Sequence, residues 1–233
     1  MTYLDDLLAG GWKLVFSRQC ETYRHFIQVS EEFYEAEAER ERGEIDALTA
    51  DMTEEAAGEA WAMEGEYYQR VTEDFPQIAR LGTFVTIHSF WESEYRRIAE
   101  WLLRSTNKRR GIENTPLKFN DFNGRPIEKS RIIVTRYVGI SDDESLWARL
   151  LPFARIRNAI VHGGAMLPPI ERVDSKLVSA LEASKTNGLD VDEDNNLVID
   201  SRLNPAFLQY VEEYVIDVLG RCERYFQGIK PVE

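Results

Sequence analysis

FVTIHSFWESEYRRIAEWLL, residues 84–103, is the stretch that decides the fold. Its apolar side chains recur every three or four residues and cover much of a helical circumference, which predicts a central helix packed on several sides. Residues 31–73, rich in Glu and Ala, predict an exposed helical hairpin with turns near 42–43 and 49–53. Residues 204–226 carry apolar side chains on one wide face and predict the last helix. We therefore expect a mainly all-α fold, a bundle of helices.

One short β-hairpin is expected within this helical chain. Near residues 190–200, two apolar runs flank Asp194-Asn195-Asn196, a sequence typical of tight turns. No internal repeat or long linker divides the chain. We therefore expect a single domain over residues 1–233, with the acidic segment 31–73 as a helical elaboration or a projecting arm.

The charge of the chain is unevenly distributed. The formal net charge is −13, with 28 Lys and Arg against 41 Asp and Glu, which argues against a general nucleic-acid coat protein. Residues 96–158, however, hold 14 basic and seven acidic residues, a local charge of +7. This region either faces an anion or is a solvated basic surface. Its run Lys108-Arg109-Arg110 is a weak candidate for substrate binding.

Several classes of protein are disfavoured by what the sequence lacks. The two cysteines, Cys20 and Cys222, are too few for a disulfide scaffold or a zinc site. No stretch is apolar enough to span a bilayer, and the acidic N-terminus lacks the basic start of a signal peptide. The phosphate-binding glycine loop, the zinc-binding helix and the hydrolase elbow are also missing. We expect a cytoplasmic protein that contacts no membrane and uses no metal or cofactor.

The stretch that carries candidate chemistry is RIRNAIVHGG, residues 155–164. On a helix, Asn158 and His162 are four residues apart and share a face, so the amide can hold an imidazole nitrogen. Arg157 lies roughly 140° around the helix from His162, within reach of the same pocket through its long side chain. A proton donor beside an anion-binding Arg is what phosphodiester cleavage requires. Spacing alone favours an ordinary helix end capped by glycines over a catalytic site.

The residues leading into this stretch predict its helix. Ser141, with Glu144 three residues later, forms a capping-box pattern that predicts the helix start. The helix then carries Trp147 and other apolar residues at helical spacing, and Gly163-Gly164 predicts its end.

Arg157 to His162 resembles the Arg-x4–6-His motif of the HEPN superfamily, in which Asn often follows the Arg. The resemblance is specific over residues 146–164 and extends loosely over 81–226, which would be the HEPN-like core. It implies a helical bundle that forms a homodimer. It also implies a metal-independent ribonuclease of a toxin–antitoxin, abortive-infection or CRISPR-associated system.

Carried over residue by residue, the resemblance assigns roles. Arg157 would bind the scissile phosphate, Asn158 would orient the site, and His162 would transfer protons. Glu92 or Ser89, on the helix of residues 84–103, would support them. HEPN toxins that are silenced by AMP transfer carry a Tyr two residues after the His. Gly164 occupies that position here, so this mode of regulation is not expected.

The expected function is therefore an endoribonuclease that cleaves RNA by attack of the 2′-OH, leaving a 2′,3′-cyclic phosphate, in a toxin or anti-phage defence context. An antitoxin or defence protein is a possible partner. The alternative is a non-catalytic HEPN-like dimer that binds a protein, a nucleotide or a nucleic acid. A third interpretation is a helical scaffold whose acidic segment 31–73 docks a basic partner.

Overall fold

Helices make up most of the chain. The structure, a computed structural model, describes residues 3–112, 115–168 and 172–228. Its α-helices are α1 (Tyr3–Thr49), α2 (Glu54–Gln69), α3 (Phe75–Arg109), α4 (Pro126–Ile132), α5 (Glu144–Gly163), α6 (Ser175–Ser184) and α7 (Leu203–Gln227). Short π-helical segments join α2 to α3 and extend α4. The strands β1 (Leu189–Val191) and β2 (Leu197–Ile199) pair as an antiparallel hairpin. The expected mainly all-α fold with one small hairpin is confirmed.

The acidic segment is helical, as expected, but has one turn where the sequence predicted two. Helix α1 runs without a break through Gly43, and the turn falls at residues 50–53. Arg40 forms ion pairs with Glu37, Glu41 and Glu44 on the same helix. These pairs and the continuing helical hydrogen bonds offset the helix cost of one Gly, about 1 kcal/mol relative to Ala. The predicted turn near residues 42–43 is therefore wrong.

The described chain separates into two compact units. The first combines residues within 1–21, 86–154 and 207–233, and the second those within 22–85 and 155–206. Helices α1, α3 and α5 each contribute to both units. The core of the first unit is a cluster of aromatic rings from α3, α5 and α7: Trp91, Tyr95, Trp147, Phe153, Phe207 and Tyr214. Within it, the rings of Phe153 and Phe207 stack with centroids 4.6 Å apart.

A buried polar network crosses the first unit. The hydroxyls of Tyr95 and Tyr214 are hydrogen-bonded at 2.8 Å, and the Tyr214 hydroxyl donates to Oδ2 of Asp142 at 2.9 Å. The Asp142 carboxylate also accepts two hydrogen bonds from the Arg131 guanidinium, at 2.7 and 3.2 Å. The network ties α3, α7 and the residues before α5 to the end of α4. Burial of charged and polar groups is tolerated here because each has a partner.

In the second unit, the hairpin is held by the N-terminal half of α3. The side-chain amide of Gln77 donates to the Leu197 carbonyl at 2.6 Å and accepts from the Ile199 N–H at 3.0 Å. Three residues on, the Arg80 guanidinium pairs with both oxygens of Glu31 on α1. One amide thus satisfies two backbone groups at the edge of β2, where no further strand is paired within the described ranges.

Candidate functional site

The candidate motif lies on the last turns of α5, as expected. Ile156 and Ile160 are buried, and they anchor this end of the helix within the second unit. Arg157 and Asn158 are half-buried, whereas Val161 and His162 are exposed. The helix therefore buries one face and presents the polar residues of the motif on the other.

Arg157 and Asn158 contact each other directly. Nη1 of Arg157 donates a hydrogen bond of 3.2 Å to Oδ1 of Asn158. The Nε atom of Arg157 is buried and has no hydrogen-bond partner among the residues that the structure describes. Because Nε is buried, a ligand would have to be bound by the terminal nitrogens of the guanidinium, which keep N–H groups beyond the one donated to Asn158. No hydrogen bond joins Asn158 to His162 in the described part of the chain. The expected amide–imidazole contact is therefore replaced by an amide–guanidinium contact.

His162 lies in the last turn of α5 with its imidazole exposed. It makes no hydrogen bond or ion pair with any described residue, and the residue is exposed. The helix ends directly after it: Gly164 has φ +63° and Ala165 has φ +70°, both in the left-handed region. Two apolar side chains flank the histidine in the sequence and are exposed, Val161 to 46% and Met166 to 62%.

The segment after the motif is pinned to the β-hairpin. The Leu167 N–H donates to the Asn195 carbonyl at 2.8 Å, and the Leu197 N–H donates to the Ala165 carbonyl at 2.8 Å. Met166 forms an isolated antiparallel bridge with Asn196. The hairpin therefore fixes the position of the chain three residues after His162. No role is predicted for the hairpin from the sequence; in the structure it supports the segment that follows the motif helix.

The predicted supporting residues belong to the other compact unit. Ser89 is exposed and Glu92 is half-buried, both on the part of α3 that contributes to the first unit. The structure does not assign either residue to the surroundings of Arg157. Their supporting role stays a prediction.

The three side chains of the basic run Lys108-Arg109-Arg110, at the end of α3, lie in different surroundings. Lys108 lines a cavity of about 570 Å³. The Arg109 guanidinium lies over the Phe226 ring at 4.4 Å from its centroid. Arg110 lies over the Tyr137 ring and donates to the Tyr137 carbonyl at 3.0 Å. Two of the three cations thus pack on aromatic rings, a contact that stabilises the fold without a ligand.

Sequence reasoning missed the rest of that cavity. Arg96 and Arg104 line it together with Lys108. Arg104 and Lys108 are four residues apart and share a face of α3, and Arg96 lies about two turns before Arg104. Lys118 closes the cavity from the segment after the helix. The spacing of Arg96, Arg104 and Lys108 was visible in the sequence, but the position of Lys118 depends on tertiary packing beyond the end of α3.

No protein-family model, no curated protein and no solved structure matches this chain. In the parts of the chain with described coordinates, no helix has the length and apolar character needed to cross a membrane. The same residues contain no group of three or more His, Cys, Asp or Glu side chains placed to hold a metal ion.

Proposed function

We propose that the protein is a metal-independent endoribonuclease of HEPN type, acting through Arg157, Asn158 and His162. The observation that carries the proposal is an exposed histidine at the end of a helix, little more than one turn beyond a half-buried arginine whose guanidinium is oriented by a hydrogen bond to Asn158. These are the two kinds of group that RNA cleavage needs, a proton carrier and a phosphate ligand.

The reaction needs only groups that this chain carries. The 2′-OH of a ribose attacks the adjacent phosphorus, and the bond from phosphorus to the 5′-oxygen breaks. One base accepts the 2′-OH proton, one acid protonates the leaving 5′-oxygen, and a cation stabilises the charge on the phosphorane. The products are a 2′,3′-cyclic phosphate and a 5′-OH. One motif provides one imidazole and one guanidinium, whereas the full reaction uses a base and an acid.

A homodimer supplies the missing group. Two motifs related by a two-fold axis provide two imidazoles and two guanidiniums around one phosphate. The exposed Val161 and Met166 support this arrangement, because apolar side chains beside His162 are what a symmetric contact would cover. Because the formal net charge is −13, RNA would have to bind at a local group of cations and not at a generally basic surface.

The test is to incubate the purified full chain with a defined single-stranded RNA in EDTA. We expect cleavage that leaves 3′-ends resistant to ligation until the cyclic phosphate is opened and removed. His162→Ala, purified in parallel, should be inactive, and it controls for a contaminating nuclease. An RNA with 2′-O-methyl groups should resist the wild-type protein, since it lacks the nucleophile.

Three results would contradict the proposal that the protein is a metal-independent ribonuclease. They are dependence of cleavage on a divalent metal, undiminished cleavage by His162→Ala, and cleavage of the 2′-O-methyl RNA. A folded dimer that binds RNA or a partner without cutting would instead support the non-catalytic alternative. Arg157 and Asn158 would then contribute only to the stability of the fold, through their mutual hydrogen bond.

A further inference from the structure

A second site with the features of a ligand pocket lies in the first compact unit. The cavity of about 570 Å³ runs along α3 from Arg96 to Lys108 and is lined on the other side by Ile112 and by residues 116–120. Its volume falls within the roughly 300–1,000 Å³ typical of small-molecule sites. The residues proposed above to cleave RNA, Arg157 to His162, are not among its lining residues.

The rim of the cavity carries an excess of unpaired positive charge. Arg96 is paired with Glu100 at 2.8 Å, and its guanidinium lies over the Phe119 ring at 4.7 Å from the centroid. Arg104, Lys108 and Lys118 also line the cavity, and each is exposed. None of these three cations makes an ion pair with a described residue. Glu100 is the one acidic residue among the described lining residues, and Arg96 already neutralises it.

The floor of the cavity is apolar and firmly held. Leu103 and Phe119 are only 3% and 8% exposed, and Leu117 contributes a wall that is 38% exposed. Asn107, a buried amide, fixes this wall. Its side-chain N–H donates to the Leu117 carbonyl at 2.8 Å, and its carbonyl accepts from the Tyr137 hydroxyl at 2.8 Å. A buried, fully used amide orders the segment before any ligand arrives, which lowers the entropy cost of binding.

We propose that this cavity binds a small organic phosphate, a phosphate monoester with an aromatic or apolar body. The body lies against Leu103, Leu117 and Phe119. The phosphate, which carries close to two negative charges at neutral pH, is held by Arg104, Lys108 and Lys118. Three cations that form no ion pair with a described residue match a dianion better than a carboxylate, and the apolar floor excludes free inorganic phosphate as the preferred ligand. This binding does not depend on ribonuclease activity.

The probe is 1-naphthyl phosphate, titrated into the full chain by calorimetry. We expect it to bind at least tenfold more tightly than inorganic phosphate, which lacks the body, and than 1-naphthol, which lacks the charge. Arg104→Ala with Lys118→Ala should weaken binding tenfold or more, since one charge-assisted hydrogen bond is worth about a factor of ten. Both residues are exposed, so the double variant should fold. Arg42→Ala, an exposed cation on α1 outside the lining, is the matched control and should bind normally.

A third variant tests the apolar wall. Leu117→Asp keeps the backbone carbonyl that Asn107 uses but places a negative charge beside the bound phosphate, so it should abolish binding. His162→Ala should bind 1-naphthyl phosphate like the wild type, which separates this site from the proposed catalytic one. Equal affinity for 1-naphthol, or unchanged affinity in the double variant, would overturn the proposal. So would a short RNA that binds through Arg104 and Lys118 when 1-naphthyl phosphate does not, because the surface would then be a nucleic-acid contact.

Discussion

Arg157 donates a hydrogen bond from Nη1 to Oδ1 of Asn158, its neighbour in the sequence, at 3.2 Å. Neighbouring residues on a helix project about 100° apart, so the contact requires the long guanidinium to turn along the surface. The bond leaves Nε of Arg157 buried without a partner in the described chain. A guanidinium that the fold orients but does not saturate is suited to an anion that arrives later.

Arg157→Ala should remove activity with little loss of stability. The substitution deletes one hydrogen bond between half-buried groups and also removes a buried donor that has no partner, two effects of opposite sign. We expect the midpoint of thermal unfolding to move by no more than about 2 °C and RNA cleavage to fall by about 100-fold or more. Calorimetry and a cleavage assay on the same preparation check both parts. Large destabilisation would show that Arg157 serves the fold.

Val161→Asp should disrupt the proposed dimer. Val161 is 46% exposed and directly precedes His162, so a carboxylate there would be desolvated in a symmetric contact. We expect a shift from dimer to monomer in analytical ultracentrifugation, together with loss of RNA cleavage. Val198→Asp is the matched control, because Val198 is a 39% exposed valine on the hairpin, outside the motif. A dimer that tolerates Val161→Asp but not Val198→Asp would place the interface elsewhere.

Asp142→Ala should be strongly destabilising. The Asp142 side chain is only 4% exposed and accepts hydrogen bonds from both Arg131 and Tyr214. Its removal leaves the Tyr214 hydroxyl with one partner fewer and leaves Arg131 with the exposed carboxylate of Glu144 and the ring of Trp147. We expect a loss of about 2–3 kcal/mol in the free energy of unfolding, less than for a fully buried pair because Arg131 keeps some solvent. Denaturant titration measures it.

The control for Asp142→Ala is Glu144→Ala. Glu144 pairs with the same Arg131, but its side chain is 82% exposed. Solvent screens such a pair, so its removal should barely change the unfolding midpoint. If the two variants were equally destabilised, burial would not be what gives the Asp142 contact its strength.

Alkaline pH should destabilise the protein through the same network. Burial raises the pKa of Tyr95 and of Tyr214 above the ordinary 10.0, and the contact with Tyr95 adds to the effect at Tyr214. Both folded-state pKa values lie above the unfolded value, so this stability is fully present below pH 10 and is lost as the pH rises toward them. Burial also raises the pKa of Cys222 from 9.0 to about 12, with the same sign.

The unfolding free energy should therefore fall progressively above pH 9, measured by denaturant titration between pH 8 and pH 11. Tyr95→Phe removes one of the two phenols and leaves Cys222 intact. The free energy of unfolding of this variant should therefore decline less steeply above pH 10 than that of the wild type. An identical pH profile for the two proteins would mean that Tyr95 ionises as easily folded as unfolded.

The sequence predicted what depends on periodicity and short patterns. The central helix of residues 84–103, the last helix and the hairpin near 190–200 all appear where expected, because apolar spacing and turn residues are local signals. The prediction from the sequence was wrong where two local signals compete. Ser141 was predicted to cap α5, but Asp143 does so, accepting from the Ser145 and Leu146 N–H groups. Asp is at least as good a cap as Ser, so spacing alone chose wrongly.

The candidate site was predictable only in part, for a different reason. Arg157, Asn158 and His162 were identifiable because they are close in the sequence. The anchoring of Ala165 and Leu167 on the hairpin, and the closing of the cavity by Lys118, depend on contacts between segments distant along the chain. Such contacts follow from tertiary packing, which no pattern within a short window reports.

Gly188→Ala should weaken the hairpin that supports the motif. Gly188 has φ +95°, and an added Cβ would overlap the carboxylate of Asp200. That carboxylate is held by the N–H and the guanidinium of Arg202, so it cannot move away freely.

Gly139→Ala is the matched control, since Gly139 has φ +90° with open space around it. The free energy of unfolding of Gly139→Ala should fall only by the cost of placing alanine in the left-handed region, about 1–2 kcal/mol. The free energy of unfolding, measured in denaturant, should fall further for Gly188→Ala than for Gly139→Ala. RNA cleavage should also fall in Gly188→Ala alone, because the hairpin holds the chain that follows His162. Equal losses in the two variants would mean that the Asp200 contact is not what the hairpin needs.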